Sequence, residues 1–441
     1  MASTYLSRTP GTGQTSRTKG TLSVWLKRAK TDEEDFIFYG FESSANRMKI
    51  TFLPSGKLQI TSIQSGSNHL VYETNRLFRD TSAWYHIVIA IDTTLATAGD
   101  RCRLYINGVE ETSFSTETHF SQNDLHYLTE NNQIIYIGSQ QGTANYFDGC
   151  MSHYHLIDGT QYQASDFGEY DANGVWKINT SPSVNYGTHG FFILKDGNSV
   201  TDQSGNSNNF TVGGGTLTKT EDSPSNVFAT GNPLASYWTA ATFSNGNNTQ
   251  VTQNNNYAFN TSTLGFQTGK WYYEAKIVST AGSDMFGITG RTNANSTTAA
   301  LGQYADQYVF NSNAGQMRNN NTDTSYASAF NTNGTIVQIA VDMTNLKIHL
   351  GLNGVWQNSS NPSNNTGGFT IGAISTTTDG FYFVGIGDYS NSQGTYEYNF
   401  GNGYFGTTAV ASAGTNASGN GIFEYDVPTG YTALSTKGLN L

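Results

Sequence analysis

An all-β chain folded as two antiparallel β-sandwiches in series is what the sequence predicts, on three observations. The first is a phrase that occurs twice, WYHIVIAIDTTLATAGDRCRLYINGVEETSF at 84–114 and TIVQIAVDMTNLKIHLGLNGVWQNS at 335–359. In each, an apolar run ends in Asp, a polar turn leads to a second run, and Asn-Gly closes into a third segment. Leu346, Ile348, Leu350 and Leu352 alternate with Lys347, His349 and Gly351, the period of two that marks a half-buried antiparallel strand. Asn-Gly between such runs predicts a hairpin with positive φ at both central residues, so Asn107-Gly108 and Asn353-Gly354 should each close one. The second observation is composition: 26 Tyr, 25 Phe and 48 Gly, with charged residues at 12%, suit strands and turns rather than helices or disorder. The third is length, since 441 residues fit two domains of about 200 residues each.

Composition also excludes function classes. No apolar run is long enough for a transmembrane helix, so no membrane insertion is expected. The opening MASTYLSRTPGTG lacks the apolar core of a signal peptide, and synthesis in a cytoplasm is expected. A net charge of −11 argues against a nucleic-acid partner, which would call for a basic footprint. Cys102 and Cys150 make no disulfide framework. Both lie in predicted strands, where pairing would need neighbouring strands; two small buried hydrophobes are the expectation for a chain folded inside a cell.

In the first domain, taken as residues 1–220, residues 5–8 read as a short edge strand before a Gly/Thr/Ser loop. In GTLSVWLKR at 20–28, Leu22, Val24 and Leu26 face one side and Trp25 and Lys27 the other. Residues 36–41 and 48–52 continue the meander, Pro54-Ser55-Gly56 turns it into 57–63, and 134–138 and 149–157 are the last strong strands. MSHYHLIDG should set Met151, His153 and His155 on one face, with Tyr154 and Leu156 on the other. Residues 162–186 are irregular and are expected to wrap the rim before a returning strand at 190–194. The polar loop at 202–210 enters one more strand, and Gly213-Gly214-Gly215 reads as a flexible turn, not a phosphate cradle, because no helix follows it. The period lapses across 221–235, which holds Pro224 and Pro233 and is taken as a linker. The second domain, residues 236–441, has an aromatic strand at 269–277 and further strands at 285–289, 380–387 and 395–400. Two Asn/Thr/Ser stretches at 292–298 and 311–327 are taken as loops, and the C-terminal segment as a flap in which Tyr431 and Leu434 pack.

The strings WYHIVIAID, RLYINGV and FDGCMSHYHLIDG resemble the laminin-G/concanavalin-A-like sandwich. SRTPGTGQTSRTKGTLSVWLKR, SDFGEYDANGVWKINTSPSVNYGTHGFFI and DQSGNSNNFTVGG extend that likeness over residues 1–230, in the version found in bacteriophage virion and tail-fibre proteins. In the second half, GKWYYEAKI, MFGITGR, KIHLGLNGVWQNS and FVGIGDY resemble a SPRY (B30.2-like) domain, and VPTGYTALSTKGL is similar to the tail of phage-encoded SPRY modules. The resemblance implies a concanavalin-A-like jelly roll followed by a SPRY-like sandwich, in a virion-associated protein whose loops face outward. The fold follows from periodicity; the phage context comes only from the resemblance.

Sandwiches of this kind also host glycoside hydrolases and lyases, and hydrolysis needs two carboxylates about 5–9 Å apart across the sugar. The candidates are Asp32-Glu33-Glu34-Asp35, Glu169 with Asp171, and Glu424 with Asp426. The first reads as a solvated charge run and the others fall in the rim segment and the flap, so all are taken as structural. His153 and His155 could hold a metal with His86 or His189, but alternation on a sheet face produces such pairs readily. No H-E-x-x-H, C-x-x-C or G-x-S-x-G motif occurs, and no catalytic residue and no metal ligand is assigned. Laminin-G-like domains often bind calcium at the rim; Asp202 and Asp148 have the oxygen chemistry for it, which keeps calcium open as the one cofactor considered, while Asp in such a loop more often makes an Asx-turn. For ligand binding, Tyr304, Tyr308, Tyr326 and Trp356 lie in or beside polar tracts, and rings amid Asn, Thr and Ser suit saccharides and protein epitopes. The bland alternative is that Tyr304 and Tyr308 cap the core; Trp356, beside the hairpin tip, is the residue expected to be exposed.

Three functions compete. The first is a non-enzymatic structural protein of a tailed-phage virion (tail fibre, tip, adaptor or capsid decoration) that binds host-surface glycan or protein. The second is a polysaccharide hydrolase or lyase, and the third a purely structural assembly protein that fills a virion interface. With no heptads, β-helix repeats or collagen triplets, a fibre shaft is not expected. Other virion proteins and a homo-oligomer are the expected partners.

Overall fold

A computed structural model describes residues 3–195, 200–238, 240–254, 257–292 and 300–440. The chain divides into two compact units, Met1–Lys219 with Ser223–Ser225, and Thr220–Asp222 with Asn226–Leu441. Among the described residues every element is a strand or a short 3₁₀ turn, and each unit is a β-sandwich, the fold class read from the sequence.

In the first unit an eight-stranded sheet runs, in spatial order, Phe114–Thr118, Ser67–Leu77, Lys57–Gln64, Asn46–Phe52, Asp35–Ser43, Ile134–Ile137, Tyr5–Arg8, Thr211–Gly213. Facing it is a six-stranded sheet in the order Phe191–Ile193, Gly149–Asp158, Lys19–Arg28, Tyr85–Asp92, Cys102–Ile106, Val109–Glu110. Leu22, Val24, Leu26, Ile87, Ile89 and Ile91 from the second sheet meet Phe38, Ile50, Leu58 and Ile60 from the first, as alternation requires. Trp25 and Lys27, on the opposite face, are buried as well. For Trp25, which stacks on His86 and through it on Trp176, the reason is the segment expected at the rim: Tyr162, Ala164, Phe167, Trp176, Val184 and Tyr186 lie over that outer face, against Val88, Ala90, Tyr105 and Ile157. It carries its own hairpin, Gly168–Tyr170 paired with Trp176–Ile178.

The second unit packs a seven-stranded sheet (Gly231–Trp238, Ala258–Phe266, Tyr382–Asp388, Asp284–Thr289, Gln307–Asn311, Gln316–Asn319, Thr322–Ser325) on a nine-stranded one. The latter runs Thr242–Ser244, Thr249–Val251, Thr395–Asn399, Lys270–Ser279, Ile336–Asp342, Lys347–Leu352, Val355–Trp356, with Phe369–Thr370 and Thr432–Ala433 pairing off that path.

The repeated phrase is a repeated geometry. Asn107 and Gly108 have φ of 50° and 82°, and Asn353 and Gly354 have 48° and 86°. Asn107 Oδ1 accepts the His86 backbone N–H at 2.7 Å while its own N–H donates to the His86 carbonyl at 2.9 Å. Asn353 makes the same pair with Ile336, at 2.8 and 2.9 Å. At the far end of each ladder Asp92 pairs with Lys19 at 2.9 Å and Asp342 with Lys270 at 3.0 Å, each lysine directly across the register. The repeat thus extends to a third strand in each sandwich.

Several sequence expectations are corrected. A bulge lies between Ser152 and His155, where His153 takes φ 47°, so Met151 packs toward the core while His155 faces outward with Phe167 and Phe192. Residues 221–235 are no linker: Phe228 and Ala229 are buried, the Ala229 N–H donates to Leu434 O, and Gly231–Trp238 is a strand of the second sandwich, which therefore opens before Tyr237. Residues 311–327 are not one loop but hold the paired strands Gln316–Asn319 and Thr322–Ser325, the second of them the edge of its sheet, where polar residues suit solvent. Of the other polar stretch, 293–298 lies outside the described residues. The C-terminal segment is built in, Thr432–Ala433 adding a parallel rung beside Trp271 and Tyr272. Cys102 and Cys150 stand on strands three steps apart in one sheet, about 14 Å sideways, and are offset along the strands as well, since Cys102 is level with Asp158; no disulfide spans that gap.

Asp35 is not a solvated end of its charge run. As the first residue of its strand it is fully buried 2.8 Å from Arg28, whose guanidinium also donates to Phe78 O and lies 4.2 Å from the centre of the Phe52 ring. Burial lifts the carboxyl to about 7, with Arg28 pulling the other way. Arg28→Met alone should cost the first unit about 3–5 kcal/mol in chemical denaturation, because it strands a buried acid, and Arg28→Met/Asp35→Leu should recover most of that loss. Equal losses for the two variants would refute the ion-pair account.

Candidate functional site

In the first unit the hairpin tip meets the covering segment. Gly108 has a Trp176 ring lying on it so closely that a Cβ there would come within 2.4 Å, and Gly168 flanks the same ring, at 2.6 Å by the same measure. The indole is thus slotted between two glycines. Its Nε1–H donates to His86 Nδ1 at 3.0 Å, and His86 stacks between Trp176 and Trp25, with centroids at 6.0 and 4.7 Å. Because Nδ1 accepts, the imidazole proton sits on Nε2, which donates to Ser23 Oγ at 2.9 Å. Complete burial pushes His86 down to about 3, holding it neutral and able to accept. Tyr170 stands edge-on to Trp176 at 4.8 Å and donates its hydroxyl to Asn107 O at 3.1 Å. Around these two rings Val109, Tyr170 and Val175 are 53%, 51% and 49% exposed. Val175 follows Asn173-Gly174, so two Asn-Gly-Val turns meet here.

The second unit offers the same parts. Gly354 has Tyr425 against it, 2.9 Å from an added Cβ, and Val355 is 64% exposed. Tyr425 is held through the chain: its backbone N–H and that of Glu424 donate to the Glu274 carboxylate at 2.9 Å each. Trp356, expected to be exposed, is half-buried, edge-on to Tyr272 and His349 at 6.4 and 6.5 Å; the pleat turns Val355 outward instead.

The other rings named from the sequence do not join it. Tyr308 and Tyr326 are core residues; the Tyr308 hydroxyl accepts the Gly372 N–H and that of Tyr326 donates to Gly367 O. Their polar surroundings in sequence are the last strands on one side of the seven-stranded sheet, and the rings themselves turn inward. Tyr304 sits in a separate outer cluster with Leu301 and Val309, under the Arg291 guanidinium at 3.9 Å.

The carboxylates mostly hold chain. Asp171 accepts from the Asn173 and Val175 N–H groups, Glu424 from Ala411 and Asp426 from Thr415. Asp202 Oδ1 accepts from the Phe192 and Ser204 N–H groups and Oδ2 from Ser204 Oγ and the Asn208 N–H, which fills its acceptor sites. That is an Asx-type loop and does not fit a calcium ion. Asp148 lies 3.9 Å from Lys30. Among the described residues no three His, Cys, Asp or Glu stand together as a metal would need. His189 Nδ1 is committed to Thr129 O, and His155 Nδ1 to the Tyr186 hydroxyl.

Among the buried acids that the sequence does not single out are Glu274, Asp284 and Asp388. Glu274 takes the Tyr272 hydroxyl, the Asn399 amide and the backbone N–H groups of Glu424 and Tyr425, and burial lifts it to about 7. Asp284 and Asp388 face each other across one ladder, both without exposure. Asp284 receives Tyr396, Thr280 and Ser312 hydroxyls; Asp388 accepts from the Ser390 N–H, and burial lifts it to about 7. Period-two polarity gives no sign of an acid facing inward.

Residues 2–164 match the Laminin_G_3 family model, described as the Concanavalin A-like lectin/glucanases superfamily. No curated protein sequence matches the chain. Among solved structures, the chain is similar to the SPRY domain of human HERC1, at 13% identity and a TM-score of 0.30, covering 38% of this chain and 96% of that one. It is similar to stonustoxin, at 13% identity and a TM-score of 0.28, covering 39% of this chain and 27% of that one. A human SPRY domain is similar at 15% identity and a TM-score of 0.26, covering 34% of this chain and 90% of that one.

The buried groups give the two units opposite pH responses. In the first, His86 and His126 are pushed from 6.5 to about 3 and 4, so their contribution is present above 6.5 and is lost as pH falls; Asp35 alone works the other way. In the second, Glu274 and Asp388 are raised to about 7, so their contribution is present in acid and is lost as pH rises through 7; His349, at about 4, opposes them. Calorimetry from pH 5 to 7 should raise the first unit's transition and lower the second's, and parallel shifts would count against this account. Asp388→Asn should remove its share of that loss, stabilising the second unit at pH 8 by about 3 kcal/mol relative to the parent. A destabilised variant at that pH would show the carboxylate to be needed.

Proposed function

We propose that the chain is a non-enzymatic contact protein of a tailed-phage virion, set among other virion proteins as a homo-oligomer, which presents lectin-like sandwiches to host-surface glycan or protein. One observation carries the contact reading: each unit has an Asn-Gly tip that exposes a valine and packs its glycine on an aromatic ring of a covering segment. Rings and branched side chains fixed in this way lose little freedom on binding, which is what a contact surface needs. The non-enzymatic reading is supported by how the acids are used, as chain-holding acceptors for backbone and hydroxyl donors. The virion setting is supported by the phage-type strings in both halves. No cofactor enters this reading.

Purified chain should adhere to envelopes of host cells without releasing reducing sugar from their polysaccharides. Tyr170→Ala and Val355→Asp should each weaken adhesion about three- to tenfold, by loss of one contact worth roughly 1 kcal/mol. Sugar release by the purified chain would replace this reading with a hydrolase or lyase, and unchanged adhesion in both variants would remove the tips from it.

A further inference from the structure

We propose that the tip of the first unit is a platform for an uncharged saccharide, with Tyr170 as the ring on which one sugar stacks. This rests on the contact reading above and assigns it a ligand class.

Rigidity is the first argument. Tyr170 is fixed at its hydroxyl by Asn107 O and at its edge by Trp176, and Trp176 is fixed by His86 and by the glycines on both sides. Yet half of Tyr170 remains in water, at 51% exposure. A phenol ring held still and left wet costs free energy as apolar surface and is ready to stack on the C–H face of a pyranose with little further ordering.

Size is the second. By register Val109 shares the face of Ile106, and Val175 the hairpin face away from Trp176, so the exposed apolar surface at this point is the Tyr170 ring with the edge of Trp176. A stable protein interface needs about 800 Å² and 20–30 residues on each side, far more than these side chains supply. One or two sugar rings fit the scale.

Charge is the third. On the same outer face as Tyr105, along the sheet edge that leads from the tip, stand Arg103 and Glu110. Arg103 is already spanned by Asp100 at 2.7 Å and Glu110 at 3.7 Å. Lys177, on the covering hairpin, is 3.7 Å from Asp171. Cations neutralised in this way do not attract a polyanion.

The test is titration of the full chain, by calorimetry, with neutral hexaoses of glucose and of N-acetylglucosamine in both linkages, and with polygalacturonate as the anionic probe. At least one neutral series should bind, Tyr170→Ala should weaken it about tenfold, Tyr170→Phe should stay within about threefold because stacking survives loss of the hydroxyl, and polygalacturonate should not compete. Unfolding curves of both variants report whether the fold is kept. Failure of every neutral oligomer, preference for polygalacturonate, or equal affinity in Tyr170→Ala would overturn the proposal. Envelope adhesion measured alongside separates the two readings: adhesion lost in Tyr170→Ala without any neutral binding overturns the saccharide class alone, and no adhesion by the parent chain overturns the contact reading with it.

Discussion

Both sandwiches depend on one constraint: a sheet buried on two faces must hold its covering segment with polar anchors that are themselves buried. In the first unit the anchors are His86 and His155, joined to Trp176 and Tyr186 of the outer segment. In the second the anchor is Glu274, whose oxygens collect the Glu424 and Tyr425 N–H groups. A covering segment of irregular backbone carries N–H groups that the ladder below cannot pair, so an acceptor rising from the sheet is the economical solution. The same anchor fixes an aromatic ring against the hairpin glycine, Trp176 on Gly108 and Tyr425 on Gly354. Only glycine permits that approach, and the positive φ of the turn requires it independently. Turn chemistry and surface chemistry are therefore tied to the same residue.

Much of this was legible from the residues. Alternation in GTLSVWLKR and KIHLGL set the core faces correctly, and both Asn-Gly hairpins closed where they were expected. What alternation cannot report is whether the second face is also covered. Trp25 and His349 looked like solvent-side residues because period two separates faces without saying what lies beyond them. The same limit hid Glu274 and Asp388, acids that satisfy the pattern and sit in the interior. Asp35 was masked by its neighbours, since Asp32, Glu33 and Glu34 made a run whose last member begins a strand.

One signal was present and unused. Asn173-Gly174 lies between Glu169-Tyr170 and Val175-Trp176, the same hairpin cue as at 107–108 and 353–354, and Gly174 takes φ 76°. Applied there, it would have turned an irregular stretch into a hairpin and brought Tyr170 and Trp176 forward as candidates. Tyr308 and Tyr326 lie in or beside Asn/Thr/Ser tracts, and polarity along the sequence does not measure the exposure of a ring. Edge strands show why: their solvent face is polar whatever the inward residues do. Residue 153 marks a different limit, because a bulge shifts the count by one and reverses the faces that follow, and nothing in MSHYHLIDG announces it.

The tips also explain why Trp356 is half-buried while Val355 is exposed. A two-residue turn leaves the next pair of side chains on opposite faces, so an Asn-Gly-Val-Trp sequence can expose the valine or the tryptophan but not both. Burying tryptophan removes the larger apolar area from water, and the sheet already presents Tyr272 and His349 to receive it. At Asn173-Gly174-Val175-Trp176 the outcome is the same: Val175 faces water and Trp176 is drawn down onto Gly108 and His86. In the first unit this leaves Tyr170, opposite the tryptophan in register, half in water, with its hydroxyl on Asn107 O and its ring edge-on to Trp176. A surface assembled in this way is set by the burial of its tryptophan, which leaves the tyrosine ring half in water.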